Sequence, residues 1–522
     1  MTAIANRDPW RIEQWREPWI ARRAALTPEA PALQLGDRRL RYRELADRAG
    51  RVARALRCLG VGPGDVVALM LPSGIAFAEL VHGLAWCGAV ALPVNLRLTA
   101  SEVEFQLRNS RVRWLIHGAG GPAKVASTAA EGLPGLCRLR LSGESALEEV
   151  EARASEAAGA TLESEREHRF DLEAPLAVLY TSGTTGRPKG AVLSGANFFW
   201  SAAGSAALIG ADPRDRWLAC MPLYHVGGLS ILLRSALVGS CVVVHERFDP
   251  EAVSRELRLG GITRVSLVAS MLQRLLDAWG DRPAPESLRC VLLGGGPTPE
   301  PLLERARALG FPVSPTYGLT EAASQVATRL PGDDVRPFFG RLRPLPGLAL
   351  RVVGPDGAPL PPGATGEICV NGPTVMRGYA NHPEATARVL RGGWLHTGDA
   401  GSLDRDGYLG LIDRRSDLIV SGGENIYPAE VEAALLEHPG VVEAAVVGHP
   451  DEHFGDRPVA FWVASGEPAA GDPPAEEALR RFCRQRLASY KIPVAFHRVQ
   501  SLPRNALGKL SRGLLAGVTP TR

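Results

Sequence analysis

A chain of 522 residues is too long for one hydrophobic core and should divide into two or more domains. Its 59 basic and 56 acidic residues nearly cancel to a net +3, so no basic field argues for nucleic acid. The eight cysteines are scattered singly with no CxxC pair, which disfavours a disulfide frame or zinc site and fits reduced thiols in the cytoplasm.

The first residues, "MTAIANRDPW", carry charge early and form no apolar signal core. Helical spacing over 43–59 puts Leu45, Val52, Leu56 and Leu59 on one face. The run "VVALML" (66–71) then reads as a strand, 75–87 as a helix and "AVALPV" as another strand. This is the most apolar region, but Pro72, Glu79, His82 and Pro93 interrupt it, so no transmembrane segment is expected. Residues 143–170 are acidic and alanine-rich, which predicts a surface helix and connector without chemistry. Further strands are expected at "LAVLY" (176–180), "WLACM" (217–221), "CVVV" (241–244), "VSLV" (265–268), "CVLLGG" (290–295) and "VSPTY" (313–317). Helical stretches separate most of them. Apolar strands alternating with helices imply parallel sheets covered on both faces, and ligands collect at the carboxyl ends of such strands. From about 335 to 413, short strands with Pro and Gly turns predict a small β subdomain. After "DRRSD" (413–417) a last unit follows, with helices at 428–438 and 475–488 and strands near 441–447 and 459–464.

The stretch "TSGTTGRPKG" (181–190) follows a buried strand and concentrates glycines, hydroxyls and Lys189. Anion binding needs inward-facing N–H groups and hydroxyls, and glycine permits the close approach. A Walker loop requires GxxxxGK followed by Ser or Thr, whereas Pro188 precedes the lysine here, so a P-loop kinase or ATPase is disfavoured. With "YGLTE" (317–321), "TGD" (397–399), "DRRSD", "SGGENIYPAEVE" (421–432) and "LPRNALGKLSR" (502–512) in that order, the chain resembles the adenylate-forming superfamily over nearly its whole length. That superfamily includes acyl-CoA synthetases, luciferases and peptide-synthetase adenylation domains.

The resemblance implies an α/β fold with a large N-terminal adenylation domain at 1–413. Within it, two α/β subdomains with parallel-rich sheets are expected at about 1–175 and 176–334, and a β-barrel-like subdomain at 335–413. A hinge at 414–417, near Ser416, would let a small α+β C-terminal domain (418–522) rotate between two half-reactions. Many relatives carry Asp or Lys at the hinge, so Ser416 departs from the common pattern. The expected reaction joins an acid to ATP with release of pyrophosphate, then passes the acyl group to CoA with release of AMP. By resemblance, Lys509 contacts the carboxylate and α-phosphate, Glu321 holds Mg²⁺, and His225 gates the acyl site. Thr181, Ser182, Gly183, Thr184, Thr185 and Lys189 would cradle phosphates. Gly294, Gly295, Gly296, Pro297, Tyr317, Gly318 and Thr320 would form the adenine pocket, with Tyr317 as a stacking ring. Asp399 and Arg414 would hold the ribose, and Ser421, Gly422 and Gly423 would line the path of the pantetheine arm. ATP, Mg²⁺ and CoA enter as co-substrates without a tightly bound prosthetic group, and a homodimer is the one assembly entertained.

The segment "MPLYHVGGLSILLRSALVG" (221–239) carries the acid preference. Arg234 places a full charge inside an apolar run, where it either snorkels to solvent or pairs with an anion. A substrate with a second carboxylate would supply that anion, with Ser324 and Gln325 as further pocket residues. Another aryl, dicarboxylic or medium-chain acid is the alternative, and a monoacid would leave Arg234 without a task. No Asp in the acyl segment is available for an amino group and no carrier domain follows, which disfavours a peptide-synthetase domain. A non-catalytic nucleotide binder would predict loss of Lys509 or Glu321, and both are present.

Overall fold

The apolar runs predicted as strands form the centres of two large sheets in the computed structural model, which describes residues 12, 15–158, 170–181, 188–296, 300–331, 333, 341–413, 418–464, 476–503 and 512–516. One sheet has seven strands, in the order Gly378–Tyr379, Lys189–Ser194, Pro175–Thr181, Val90–Pro93, Val66–Met70, Trp114–His117 and Cys137–Arg140. The other has nine, from Arg343–Pro344 through Ser324–Thr328, Val313–Leu319, Cys290–Leu293, Arg264–Leu267, Arg216–Ala219 and Cys241–Val244 to Pro31–Leu35 and Arg38–Arg41. Their central pairs are parallel. The helices Tyr42–Cys58, Ile75–Cys87, Gly195–Ile209 and Val226–Val238 bury apolar faces in one continuous core with both sheets.

Sheet membership corrects the expected division at 175/176. Strands 175–181 and 189–194 complete the first sheet, while 31–35 and 38–41 join the second, where Leu33 pairs with Val242. The reason lies in the connections. The hairpin holding "TSGTTGRPKG" extends the sheet its first strand already belongs to, and the amino-terminal hairpin adds to the open edge beside Cys241–Val244.

A third sheet of short antiparallel strands (349–353, 366–371, 394–403, 390–391 and 409–413) forms the predicted β subdomain. The last unit has strands 424–426, 419–421, 455–464, 441–451 and 495–498, covered by helices Pro428–Leu436 and Glu476–Arg484.

The strand Val313–Leu319 doubles back on Ser324–Thr328 as a hairpin with a register shift between Tyr317 and Gly318. A Cβ on Gly318 would lie 1.7 Å from the Ser324 carbonyl oxygen. The turn also holds Ala323 at φ +53° and Ser324 at φ +96°, left-handed backbone that costs free energy for residues with a side chain. Ser201 Oγ donates to the Ala323 carbonyl at 2.7 Å and steadies the turn. Gly318→Ala is expected to cost on the order of 3 kcal/mol or more, because backbone and not a flexible side chain must move. Thermal unfolding by calorimetry checks this, and an unchanged midpoint would refute the packing argument.

Candidate active site

Strand ends from both large sheets converge on a cavity that the C-terminal unit closes. Thr181 and Lys189 flank the glycine-hydroxyl loop, and Thr181 Oγ1 lies 3.4 Å from Glu321 Oε1. Glu321 sits in a single 3₁₀ turn, Thr320–Ala322, directly after the strand that carries Tyr317. Its Oε1 also accepts a 2.8 Å bond from the Tyr379 hydroxyl. Lys189 Nζ lies 5.5 Å from the centre of the Tyr379 ring. Ser182, Gly183, Thr184, Thr185, Pro297, Arg414, Ser416 and Lys509 lie outside the described residues.

Gly294 and Gly295 end the strand Cys290–Leu293 at the cavity wall. Gly295 has φ +87°, and a Cβ there would meet Val268 Cγ1 at 2.8 Å. Thr320 and Gly318 also line the cavity. Tyr317 is placed differently from expectation. It is 1% exposed, packs in the main core, and its hydroxyl donates to Asp399 Oδ2 at 2.7 Å. A ring on an inward-facing strand position goes to the core, and its polar tip finds the nearest carboxylate. Tyr317 therefore fixes Asp399 in this structure and its ring is not an open stacking face. Three residues before Asp399 on the same strand, His396 Nδ1 lies 3.0 Å from Glu367 and 3.4 Å from Cys369 Sγ of the neighbouring strand, with Arg391 3.9 Å from the same carboxylate.

The acyl segment forms the helix Val226–Val238, capped at its start by extended His225 and ended by Gly239 at φ +93°. Gly228 lets it pack against Pro222, whose carbonyl oxygen would be 2.4 Å from a Cβ. Its last carbonyls are held from the amino-terminal helices. Arg23 Nε donates to Ala236 O at 3.0 Å and its Nη2 to Leu237 O, while the Tyr42 hydroxyl bonds Ser235 O at 2.7 Å.

Arg234 lines the cavity yet is only 5% exposed. Its Nη2 donates to Gln325 Oε1 at 3.1 Å, and its guanidinium lies 4.9 Å from the Trp217 ring centre. Nε is buried without a hydrogen-bond partner, and no carboxylate among the described residues forms an ion pair with Arg234. Burial, then the neighbouring Arg264, pushes its pKa down to about 10. It stays charged at neutral pH. Arg264, by contrast, pairs with Asp215 at 2.8 Å. Ser324 and Gln325 line the same end of the cavity.

The turn 421–425 reaches into the cavity from the C-terminal unit. Ser421 is buried, Gly422 (φ +58°) donates its N–H to the Phe454 carbonyl at 2.7 Å, and Gly423 (φ +88°) packs on Val268. Buried Glu424 lies 3.2 Å from His225 Nε2, within 3.3 Å of Asn95 Nδ2 and 3.5 Å from Arg97. Burial alone would raise its pKa, but His225, Arg97 and Asn95 outweigh burial and hold it below the usual carboxylate range. A second tie joins the units. Buried Lys491 Nζ bridges Glu102 at 2.6 Å and Glu430 at 2.7 Å, and Arg97 stacks 4.5 Å from the Tyr490 ring centre.

The family described as "AMP-binding enzyme" matches residues 20–380, and its C-terminal domain matches 430–509. The chain belongs to the AMP-binding enzyme family. The 2-succinylbenzoate–CoA ligase of Geobacillus kaustophilus is 44% identical over 503 residues, 96% of this chain and 98% of that one. The 2-succinylbenzoate–CoA ligase of Bacillus mycoides is 40% identical, covering 95% and 97%. Among solved structures, a double mutant of o-succinylbenzoate CoA synthetase from Bacillus subtilis with its product analogue OSB-NCoA superposes with a TM-score of 0.85, at 37% identity and 96% and 98% coverage. The same B. subtilis enzyme with the acyl-adenylate OSB-AMP gives 0.70 at 37% identity, covering 97% and 99%.

For this AMP-binding enzyme, sequence reasoning missed Glu424, Asn95, Arg97, Trp217 and Tyr379 as site residues. Glu424 stood inside a quoted motif, and an acid beside two glycines was a usable signal. Asn95 and Arg97 follow the strand Val90–Pro93 at its carboxyl end, the place where such sheets bind ligands. Nothing in the local sequence marks Trp217, because an aromatic in an apolar strand reads as core.

Proposed function

We propose that this chain is an ATP-dependent acid–CoA ligase that forms an acyl-adenylate and then an acyl-CoA thioester, with 2-succinylbenzoate as its acid. The segments "PLYHVGGLSILLRS", "LLGGGPTPEPLLE" and "TYGLTEAASQVAT" resemble those of o-succinylbenzoate–CoA ligase of menaquinone biosynthesis. The observation that carries the reading is Arg234, a buried cation facing the acyl end of the cavity with no acid partner among the described residues. An isolated buried charge is costly. The ring carboxylate of 2-succinylbenzoate removes that cost while its succinyl carboxylate is activated. Two curated relatives at 44% and 40% identity bear the name of that activity, which supports the same acid.

In the first half-reaction the loop from Thr181 to Lys189 and Lys509 hold the phosphates and the incoming carboxylate. Glu321, lining the cavity, presents a carboxylate oxygen, the donor type Mg²⁺ takes. Bound there, Mg²⁺ supplies charge neutralisation on the phosphates. Asp399, steadied by Tyr317, accepts from the ribose hydroxyls, while Arg414 donates to their oxygens. In the second half-reaction Ser421, Gly422 and Gly423 line the pantetheine path and His225 borders the acyl carbon. Movement about Ser416 exchanges the two arrangements. The higher TM-score with the product-analogue complex than with the acyl-adenylate complex, 0.85 against 0.70, supports reading this orientation as the thioester-forming one.

Pyrophosphate release and CoA-thioester formation across a panel of acids test the proposal, with turnover expected for 2-succinylbenzoate above all others. Preferred use of a monoacid would favour the second reading, a ligase for another acid. Because Glu424 ties His225, Asn95 and Arg97 across the units, Glu424→Ala is expected to slow thioester formation from supplied acyl-adenylate roughly tenfold or more. Pyrophosphate release should hold near the parent rate. Stopped-flow measurement of each half-reaction separates them, and equal losses would show that Glu424 is not specific to one orientation.

A further inference from the structure

Tyr379 lies in the two-residue strand Gly378–Tyr379, which pairs antiparallel with Lys189–Ser194 so that Tyr379 faces Ala191. The segment around it is stitched on three sides. Ala380 N–H donates to Gly190 O at 2.8 Å, Met376 N–H to Glu321 O at 2.8 Å, and Tyr379 N–H to Thr386 Oγ1 at 2.9 Å. Gly378 has φ +143°, and a Cβ there would meet Thr386 Cγ2 at 2.7 Å, so the strand has little freedom to shift. From this anchored backbone the Tyr379 hydroxyl donates to Glu321 Oε1 at 2.8 Å, and Thr181 Oγ1 approaches the same oxygen at 3.4 Å. Oε1 therefore takes its short bond from Tyr379, while the single Thr181 proton is shared between Oε1 and the Lys189 carbonyl 3.5 Å away. Oε2 has no hydrogen bond among the described residues. The face of the Tyr379 ring meanwhile carries Lys189, whose Nζ lies 5.5 Å from its centre.

We propose that Tyr379 is a positioning residue for adenylation: it pins Glu321 Oε1, so that Oε2 is the oxygen presented to the metal of the nucleotide, and seats Lys189 from the same ring. This rests on the reading of Glu321 as the Mg²⁺-holding carboxylate. A ligand carboxylate oriented by an outer hydroxyl holds its metal more tightly, and losing such a partner typically costs roughly 10- to 100-fold in metal affinity or activity. The carboxylate, once freed, rotates about its terminal torsion, which has no sharp preference of its own.

Tyr379→Phe removes only the O–H and keeps the ring against Lys189. The test measures Mn²⁺ binding by electron paramagnetic resonance in the presence of a non-hydrolysable ATP analogue, for the parent, Tyr379→Phe and Glu321→Gln. Weakening of about tenfold in Tyr379→Phe is expected. Pyrophosphate release at low Mg²⁺ should fall in parallel and recover when Mg²⁺ is raised, while KM for the acid stays constant. Parent-like Mn²⁺ affinity in Tyr379→Phe, with Glu321→Gln weakened, would overturn the positioning role and leave the Glu321 reading intact. Parent-like affinity in Glu321→Gln would overturn that reading, and this proposal with it. An adenylation loss in Tyr379→Phe that excess Mg²⁺ fails to repair would mark a purely structural role and also overturn the proposal.

Discussion

Arg234→Leu is expected to raise KM for 2-succinylbenzoate by roughly 10²-fold, since truncating one partner of a buried charge pair costs about 2–5 kcal/mol. KM for ATP should not move, because the contacts of Arg234 are with Gln325 and Trp217 and not with Asp399 or Glu321. The same variant should gain on acids that lack the ring carboxylate. In the parent such acids leave Arg234 buried with only an amide oxygen and a ring face for company. Leucine removes that penalty, so selectivity should narrow from both directions. Steady-state kinetics with 2-succinylbenzoate and with the corresponding keto acid lacking the ring carboxylate measure both arms. An unchanged KM for 2-succinylbenzoate would dispose of the recognition role.

Lys509→Ala should divide the two half-reactions most sharply. Adenylation brings a carboxylate against the α-phosphate, and two like charges 4 Å apart repel by about 4 kcal/mol at an effective dielectric near 20. On the proposal that Lys509 contacts both anions, removing it is expected to slow pyrophosphate release roughly 10²–10³-fold, the loss typical for one transition-state electrostatic contact. Thioester formation from supplied acyl-adenylate needs no such neutralisation and should fall far less. Single-turnover assays of each step decide it, and equal losses would count against two arrangements of the C-terminal domain.

Much of this chemistry could be read from the chain because the relevant residues are local. The run 181–190 and the strand-end motifs at 317–321 and 397–399 each gather glycines, hydroxyls or one acid in a few positions, and the structure brings Thr181, Pro188, Glu321 and Asp399 to one cavity. Arg234 was conspicuous as a charge in an apolar helix. What stayed hidden depends on distance or on edges. Glu424 finds Asn95 and Arg97 across more than 300 residues of sequence, and no local pattern encodes that pairing. The strands Arg38–Arg41 and Cys137–Arg140 are terminal in their sheets and polar, so they lack the apolar run that marks a central strand. Tyr317 misled for another reason: an aromatic at a binding motif suits a stacking role and a core role equally, and its burial with the hydroxyl on Asp399 decided between them.

The grip of Arg23 and Tyr42 on the final carbonyls of Val226–Val238 ties the helix that carries Arg234 to the helices Trp19–Leu26 and Tyr42–Cys58. Anyone transplanting this enzyme's acid selectivity into a cousin by exchanging 221–239 alone would bring over the helix without its moorings. The portable unit is discontinuous: it joins that helix to Trp19–Leu26 and Tyr42–Cys58, none of whose residues lines the cavity.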